Sequence, residues 1–575
     1  MRCKSLEFLV ICSIVLHTSP GAAQSAPTIV SYQDIHHPIF AEHGMVSAQE
    51  ELASRVGLEV LRNGGNAIDS AVAVGFTLAV TLPRAGNLGG GGFMLIHSAK
   101  QRETVALDYR ETAPAASTRD MYLDGQGNVD KDKSRYSYQS VGVPGTVAGL
   151  TLALEKYGTW PLSKVLEPAI RLAKKGFVVR KDLADSLAYS EKRLGKWPST
   201  AKIFLKPDGT AYQSGDRLIQ SDLAWSLEQI AKHGPAAFYE GEVATRIVAD
   251  MEAGGGLIDA EDLRSYRAII RRPIEGTYRG YRILSMPPPS SGGVHLVQIL
   301  NILEDFPIGF LGVNSADTIH LMAEAMKMAY ADRSHHLGDP DYWEVPIKGL
   351  TSKHYAAYQR KNINLTQARP SQDIGPGEPA QYESNETTHF SVMDAHGNVV
   401  SNTYTINFGY GSGIVASGTG ILLNNELDDF SAKPGVPNAY GLIGGEANAV
   451  AGGKRPLSSM TPTIVLKEGQ PFLATGSPGG SRIITTTLQI IMNVIDHGMN
   501  IAAATATPRI HHQWLPDELR VENGISPDTL DLLAQRGHQI VVKSAMGSTQ
   551  SILRGENGFY GASDPRRPGA LTLGY

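Results

Sequence analysis

A pair of threonines, Thr387 and Thr388, stands at the start of a strand-like run in the stretch NETTHFSV (385–392). Threonine branches at Cβ and suits a pleated strand, so β-propensity alone is one explanation of the pair. A threonine hydroxyl is also a potential nucleophile, although without help it is a weak one. The sequence supplies no obvious neighbouring base of the Ser–His kind. Any chemistry at this position therefore needs another source of activation.

The residues that follow the pair predict a β-hairpin. Its strands are TTHFSVM and VVSNTYT, and its turn is DAHGN (394–398). If the turn is centred on His396, facing positions have numbers that sum to 792, and Thr387 faces Thr405. Directly opposed residues have Cβ atoms about 4.5–5.5 Å apart, which is close enough for one hydroxyl to hydrogen-bond the other. We therefore expect Thr405 to hold and polarise Thr387.

An amino group would activate Thr387 if the bond between Glu386 and Thr387 were cut. Thr387 would then begin a new chain, and its own α-amine, with a pKa of about 7.7–8.0, would act as the general base. The preceding segment (366–386) is polar and contains several prolines and glycines. We expect this segment to be mobile enough to leave after the cut.

Several common catalytic signatures are absent. The chain contains no HExxH, no Walker A pattern and no GxSxG elbow. The glycine run AGNLGGGGF (85–93) lacks the GxGxxG spacing and is interpreted as a packed turn. Histidine pairs at 36/37, 335/336 and 511/512 have no carboxylates at ligand spacing, so we interpret them as surface or satisfied core residues. No metal is expected.

The overall charge argues against some classes of partner. The chain has 575 residues with 57 acidic and 52 basic side chains, and its formal net charge is −5. It has no basic excess with which to neutralise phosphates, so neither a nucleic acid nor a membrane is expected as a partner.

The N-terminus has the layout of a secretory signal peptide. Two basic residues precede a short apolar run, and small residues end at Ala23, so we predict a signal peptide over 1–23 and a periplasmic or secreted protein. An uncleaved N-terminal anchor is the alternative. Cys3 and Cys12, which are the two cysteines of the chain, both lie in this segment. The exported protein would then have no disulfide, thiolate nucleophile or zinc–thiolate site.

The pattern of elements predicts an α/β fold. A helix is predicted after Ser47, with Ser47 and Glu50 as a capping box and the glycines at 64 and 65 as its end. The apolar stretch NAIDSAVAVGFTLAVTLP predicts a buried core helix. Further helices are predicted at 146–158, 161–177 and 315–338. After about residue 386 short β-branched runs dominate, so stacked sheets between helical layers are expected.

Longer motifs place the chain beside a known family. The stretches ESNETTHFSVMDAHGNVVSNTYTINFGYGSGIV, NNELDDFSAKPGVPNAYG, KRPLSSMTPTIV and TGSPGGSRI closely resemble γ-glutamyltranspeptidases of the N-terminal-nucleophile hydrolase superfamily, particularly the exported bacterial enzymes. GNLGGGGFML, LDYRETAP, PGTVAGL, MPPPSSGG, LGDPD, HHQWLPDELRVE and AMGSTQSI also match, so the resemblance covers almost the whole mature chain. It implies a four-layer αββα sandwich, built jointly by a large subunit (24–386) and a small subunit (387–575) of one self-cleaved precursor.

The resemblance also implies catalytic roles. Thr387 is implied as the nucleophile, first of its own cleavage and then of attack on the substrate, with Thr405 as the residue that hydrogen-bonds it. Gly479 and Gly480 are implied to offer backbone N–H groups to the developing oxyanion, since glycine lets the backbone approach closely.

Further positions match residues that bind the glutamyl head group. Arg110 is implied to clamp its α-carboxylate, and a guanidinium fork suits that task. The other implied binding residues are Ser458 and Ser459 at the carboxylate, Asn407, Glu426 and Asp429 around the α-ammonium, and Tyr440 in the wall of a lid loop (430–442). Position 426 is glutamine or glutamate in the family, and glutamate is expected to hold the ammonium more strongly.

The implied reaction transfers the γ-glutamyl group of glutathione or a related compound, through an acyl-enzyme on Thr387, to water, an amino acid or a peptide. The resemblance implies no metal or organic cofactor. A related acylase that removes glutaryl groups from β-lactams is one alternative, although glutaryl lacks the ammonium that Glu426 and Asp429 would face. A periplasmic binding protein for glutamate-like ligands, which would stay uncut, is the other.

Overall fold

The computed structural model describes residues 35–379 and 389–575, and the signal peptide predicted at 1–23 lies outside them. The strands are β1 (Ile39–Ala41), β2 (Gly44–Ala48), β3 (Gly91–Ser98), β4 (Glu103–Tyr109), β5 (Phe177–Val178), β6 (Arg217–Leu218), β7 (Ile269–Arg271), β8 (Ile274–Tyr278), β9 (Tyr281–Ser285), β10 (Phe390–Asp394), β11 (Val399–Thr405), β12 (Val415–Ala416), β13 (Ile421–Leu422), β14 (Thr463–Lys467), β15 (Gln470–Thr475), β16 (Ile510–His511), β17 (Leu519–Val521), β18 (Ile540–Val542), β19 (Gln550–Gly555), β20 (Gly558–Ser563) and β21 (Leu571–Gly574).

The helices are α1 (Glu51–Arg62), α2 (Ala67–Thr81), α3 (Lys131–Arg135), α4 (Thr146–Tyr157), α5 (Leu162–Lys175), α6 (Lys181–Leu194), α7 (Pro198–Phe204), α8 (Ser221–His233), α9 (Ala236–Tyr239), α10 (Glu242–Ala253), α11 (Ala260–Ser265), α12 (Gly292–Leu303), α13 (Ile308–Leu311), α14 (Ala316–His336), α15 (Ile347–Leu350), α16 (Lys353–Arg360), α17 (Arg482–Ile495), α18 (Ile501–Ala506) and α19 (Pro527–Gln535). Short 3₁₀ helices cover Tyr138–Ser140, Ser371–Asp373, Glu426–Asp429 and Glu446–Asn448. Within the described ranges no helix combines the length and apolarity needed to cross a bilayer.

Two large antiparallel sheets form the centre of the fold. The first has seven strands in the order β1-β20-β19-β15-β14-β9-β8, and the second has seven in the order β21-β2-β10-β11-β3-β4-β7. Each sheet combines strands that precede residue 380 with strands that follow residue 388. Both parts of the chain are therefore required to complete either sheet.

The sheets pack face to face, and helices cover their outer faces. Phe93 and Met393 of the second sheet pack with Ile464 and Ala474 of the first in one buried cluster. A larger apolar cluster joins α1, α2, α4 and α5 to the second sheet, and another joins α12, α14 and α17 to the first. The resulting order of layers, helix–sheet–sheet–helix, confirms the predicted αββα sandwich.

The predicted start of α1 is wrong, although its end is confirmed. Ser47 lies in β2, where it pairs with Ser391 of β10. Glu50 is the N-cap instead, because its carboxylate accepts hydrogen bonds from the backbone N–H groups of Leu52 and Ala53, each at 3.0 Å. The helix ends at Arg62, just before Gly64 with a φ of 86°. The predicted core helix is confirmed as α2, which is buried at every residue.

The described part of the segment 366–379 is anchored rather than loose. The Ser371 N–H donates to the carboxylate of Asp517 at 2.8 Å, and the Gly377 N–H donates to Asp332 Oδ1 at 2.7 Å. Both acceptors lie on the folded body of the protein. These contacts hold Ser371 and Gly377 on the folded body of the uncut chain. The departure of the segment after the cut stays a prediction, and the rest of the predicted segment lies outside the described part of the chain.

Candidate active site

The hairpin that follows the threonine pair has the predicted register. Phe390 faces Asn402, and every described pair of β10 and β11 has residue numbers that sum to 792. The turn is closed by Asp394, whose Oδ1 accepts the N–H groups of His396 and Asn398 at 2.9 and 3.0 Å. Thr387 lies outside the described residues, three positions before the first residue of β10. Its pairing with Thr405 stays a prediction.

Thr405 ends β11 and is held by its neighbours. Its Oγ1 accepts the Asn407 N–H at 2.8 Å, and its carbonyl accepts Asn87 Nδ2 at 2.9 Å. Asn87 also accepts the Gly90 N–H at 2.9 Å, so the loop before β3 is tied to the end of β11. This positioning role of Asn87 was not predicted, although the residue lies in the quoted motif GNLGGGGF.

A cavity of about 240 Å³ opens at this end of the hairpin. Seven residues that the sequence analysis singled out lie in its wall: Thr405, Asn407, Glu426, Asp429, Tyr440, Gly479 and Gly480. Four further polar residues of the wall were not predicted: Gln49, Arg84, Arg482 and Arg567. The fold thus brings together distant segments that the sequence analysis treated one motif at a time.

Gly479 and Gly480 lie between β15 and α17 in a conformation that favours glycine. Their φ angles are +139° and +61°, and a Cβ on Gly480 would lie 2.7 Å from the ring of Tyr440. Neither backbone N–H donates to another described residue. Both stand just before the N-terminus of α17, where the helix dipole is positive. This arrangement suits the stabilisation of an oxyanion.

Tyr440 connects the predicted lid loop to the floor of the cavity. Its hydroxyl donates to Asn407 Oδ1 at 2.8 Å, and its carbonyl accepts Gln513 Nε2 at 3.2 Å. Asn407 is itself held by a hydrogen bond from its Nδ2 to the carbonyl of Asn425 at 3.0 Å. The φ of Asn407 is +70°, a left-handed conformation that asparagine tolerates better than most residues. The loop is therefore fixed against the site at this point.

Glu426 and Asp429 form an acidic part of the wall, and Arg110 lies behind them. The Arg110 guanidinium is completely buried; its Nη2 donates to Asp429 Oδ2 at 2.6 Å, and its Nη1 donates to Glu426. Its Nε donates to the Pro456 carbonyl at 3.2 Å. Arg110 does not line the cavity. It was expected to bind the substrate carboxylate, and its observed partners are instead groups of the protein. The physical reason is that a buried cation needs counter-ions within the protein.

Burial changes the protonation of this acidic group. It raises the pKa of Glu111 to about 8, and it also raises the pKa of Glu426 and of Asp429, while the attraction of Arg110 opposes all three shifts. Neither carboxylate oxygen of Glu111 has a hydrogen-bond partner among the described residues. Burial thus favours the protonated forms of these three carboxyl groups, and Arg110 opposes it at all three, with Arg333 also acting on Asp429. Glu111 was not predicted to matter, although it follows Arg110 in the motif LDYRETAP.

Ser458 and Ser459 lie in the segment that carries the Pro456 carbonyl. Both are completely buried, and neither lines the cavity directly. The Ser458 carbonyl accepts the Ser291 N–H at 3.1 Å. The Ser459 Oγ has no hydrogen-bond partner among the described residues. Its hydroxyl therefore remains available beside the Arg110 region.

One group of side chains outside this cavity has the geometry of a metal site. Ligand atoms of His320, Glu324 and His538 lie within 4.8 Å of one another. In the structure the two imidazoles hydrogen-bond each other at 2.8 Å, and Glu324 is paired with Lys327 at 2.8 Å. These contacts engage all three side chains, although His538 Nδ1 has no hydrogen-bond partner among the described residues. The paired histidines at 511 and 512 are likewise engaged, by Thr485 at 2.9 Å and Asp517 at 3.1 Å.

Comparison with known proteins shows which proteins this chain resembles. Residues 53–573 match the family model described as gamma-glutamyltranspeptidase. The "Glutathione hydrolase proenzyme" of Escherichia coli K12 is 58% identical over 562 residues, which cover 97% of this chain and 96% of that protein.

Solved structures match as well. The cephalosporin acylase of Bacillus halodurans superposes with a TM-score of 0.85 at 30% identity and covers 96% of this chain and 98% of that chain. A chain of Helicobacter pylori gamma-glutamyltranspeptidase superposes with a TM-score of 0.57 at 48% identity and covers 57% of this chain and 94% of that chain.

Proposed function

The chain belongs to the γ-glutamyltranspeptidase family, and we propose that its cavity transfers γ-glutamyl groups from glutathione and related compounds to water, amino acids or peptides. It is an enzyme of the γ-glutamyltransferase and glutathione hydrolase type, as the high identity to a glutathione hydrolase proenzyme over nearly the whole chain supports. The single observation that carries the assignment of the site is the convergence of seven predicted residues on one cavity.

The proposed nucleophile is the Thr387 hydroxyl, with the α-amine of the same residue as the general base. The observed register of the hairpin supports a partnership with Thr405, which is fixed at the end of β11 by Asn87. The Gly479 and Gly480 N–H groups would stabilise the oxyanion that forms as the γ-amide carbonyl is attacked. The amine leaving group then departs, and water or an acceptor amine releases the glutamyl group from Thr387.

The acidic part of the wall would receive the α-ammonium of the glutamyl group. Glu426 Oε2 is buried, lacks a hydrogen-bond partner among the described residues and belongs to a side chain that lines the cavity. Asp429 lies beside it. The α-carboxylate would be bound by the Ser459 and Ser458 hydroxyls with Arg110, provided that the guanidinium releases part of its present pairing. The site would thus recognise both charges of the amino acid.

We further propose that the mature protein consists of a large subunit (24–386) and a small subunit (387–575). The mixture of early and late strands in both sheets supports a heterodimer that stays together after the cut. The signal-like N-terminus supports export to the periplasm or the medium. No cofactor is needed for this chemistry.

N-terminal sequencing of the two fragments tests the proposal. The smaller fragment is expected to begin at Thr387, and the purified protein is expected to release p-nitroaniline from γ-glutamyl-p-nitroanilide. A single uncut chain that returns its ligand unchanged would instead indicate the binding-protein alternative.

A related acylase is the second candidate, because the structure with a TM-score of 0.85 is a cephalosporin acylase. A glutaryl group would leave Glu426 and Asp429 without a positive partner, and an uncompensated buried carboxylate is costly. Comparison of γ-glutamyl-p-nitroanilide with glutaryl-p-nitroanilide separates the two candidates. We expect the γ-glutamyl compound to be preferred, and a preference for glutaryl would assign the acylase activity.

A further inference from the structure

The cavity has a second charged part, which we call the basic wall: Arg84, Arg482 and Arg567, together with Gln49. These residues come from four separate segments. Gln49 precedes α1, Arg84 follows α2, Arg482 begins α17, and Arg567 lies between β20 and β21. Tertiary folding has therefore gathered three guanidinium groups around one opening, and the roles proposed above for the site use none of them.

One arginine of this wall, Arg567, has no ion pair with a described acid. Arg84 Nη2 pairs with Asp182 Oδ2 at 3.4 Å, whereas the Arg567 side chain makes no hydrogen bond or ion pair with another described residue. Asp564, the acid closest to Arg567 in sequence, is already engaged by Arg509 at 2.5 Å and by Arg566 at 3.2 Å. Arginine stays protonated in proteins, so Arg567 presents a positive charge that has no direct ion-pair partner among the described residues.

Gln49 supplies a second, independent sign of a ligand. Its side chain is only 6% exposed, it lines the cavity, and its Nε2 has no hydrogen-bond partner among the described residues. A buried amide donor without an acceptor is unfavourable in the empty site. Gly569 packs so closely that a Cβ there would lie 2.7 Å from Asp182 Oδ2 and 3.4 Å from the Gln49 carbonyl. The loop after β20 therefore packs against both Gln49 and Asp182, which is the partner of Arg84.

We propose that the basic wall binds the carboxylate at the far end of the donor substrate, which in glutathione is the C-terminal carboxylate of the cysteinylglycine leaving group. Guanidinium forks and an amide N–H are the donors that suit a carboxylate. Arg482 is the first residue of α17, two positions after Gly480, and it lines the same cavity. The terminal carboxylate of glutathione lies about 7 Å beyond the scissile carbonyl when the cysteinylglycine is extended, so it stays near the same opening. This inference rests on the proposed function and names the substrate feature that the same cavity selects.

The wild-type enzyme offers the first test, in which glutathione is compared with its C-terminal amide. We expect kcat/KM to be about tenfold higher for the acid, because one charge-assisted contact is lost in the amide. The preference is expected to shrink as salt is raised, since the wall is open to solvent. Equal kcat/KM values for the acid and the amide would overturn the proposal. Failure to turn over γ-glutamyl-p-nitroanilide at all would instead overturn the proposed function.

Two variants locate the effect. In Arg567→Gln and in the isosteric Gln49→Glu, which places a negative charge in the wall, the ratio of kcat/KM for acid over amide is expected to fall about tenfold. Arg554→Gln is the matched control, because it removes the same charge from β19 outside the cavity; it should keep the wild-type ratio. Gel analysis confirms that each variant has matured, and Gln49→Glu decides the question if Arg567→Gln stays uncut. A wild-type ratio in the mature variant contradicts the assignment.

Discussion

The two charged parts of the cavity wall are opposite in composition. The acidic wall, which we define as Glu426 and Asp429 with Glu111 and Arg110 behind them, sets three carboxyl groups against one guanidinium. The basic wall contains three guanidinium groups, of which Arg84 pairs with Asp182 and Arg567 has no ion pair with a described acid. Each wall therefore carries an excess of one charge within the same cavity.

The walls resolve that excess differently because their groups titrate differently. A buried carboxyl group takes up a proton when its pKa rises, so the acidic wall can be closed off from water, and the Arg110 side chain is 0% exposed. Arginine keeps its proton, so the basic wall has to stay open to solvent or to an anion. Consistent with this, the Arg84 side chain is 19% exposed and Arg567 is exposed. Within the protein the acidic wall already has a counter-ion in Arg110, whereas Arg567 of the basic wall has no such partner among the described residues.

The largest expected effect comes from removing the reacting group while both walls remain. Thr387→Ala should leave an uncut precursor whose activity toward γ-glutamyl-p-nitroanilide falls by at least about 10³-fold, because a nucleophile and its amine are lost together. Gel electrophoresis and a p-nitroaniline assay measure both outcomes. A variant that is still cut and still active would place the chemistry elsewhere.

The two walls should also differ in how much their arginines contribute to the free energy of unfolding. Arg110→Met leaves buried carboxyl groups without their cation and should lower the free energy of unfolding by about 3–5 kcal/mol. Arg84→Gln, which breaks a partly exposed pair at 3.4 Å, should lower it by less than about 1 kcal/mol. Urea denaturation of the two variants gives the comparison. Equal losses in the free energy of unfolding would show that the buried arginine of the acidic wall contributes no more to stability than the partly exposed arginine of the basic wall.

The sequence alone was sufficient for the parts of the site that are local. The hairpin register followed from one turn, because the side chains of a short antiparallel pair are fixed by the position of its centre. Gly479 and Gly480, from one continuous motif, lie in the cavity wall, and their role at the oxyanion stays a prediction. The αββα order of layers was also predicted, since element composition and family motifs agreed.

Long-range pairing explains what sequence reasoning missed. Ser47 was interpreted as a helix cap because its partner in β2–β10 pairing, Ser391, is remote in the chain. Each arginine of the basic wall, taken alone, resembles an ordinary surface residue, and only the fold brings the three together. The burial of Arg110 and its pairing with Asp429 were likewise not encoded in any local pattern.

The acidic wall should also show itself in the pH dependence of stability. The pKa of Glu111 is raised from 4.5 to about 8 by burial, so its stabilising contribution is complete below pH 4.5 and is lost as the pH rises to about 8. Glutamine does not titrate, so Glu111→Gln lacks this contribution to the pH dependence of stability. The variant should therefore gain stability relative to wild type across this window, by at most about 1.4 kcal/mol per pH unit. If the difference in denaturation midpoint between Glu111→Gln and wild type is the same at pH 5 and at pH 8, the raised pKa of Glu111 is contradicted.

The smallest effect is expected where the lid meets the cavity beside the acidic wall. Tyr440→Phe removes the hydrogen bond to Asn407 Oδ1 at 2.8 Å but keeps the ring that packs on Gly480. One neutral hydrogen bond contributes about 1 kcal/mol, so kcat/KM should fall about fivefold. Tyr189→Phe, at a side chain that is 94% exposed, is the matched control and should have no effect. If kcat/KM of Tyr440→Phe equals that of the control, the acidic wall holds its shape without the lid, because Asn407 keeps its bond to Asn425.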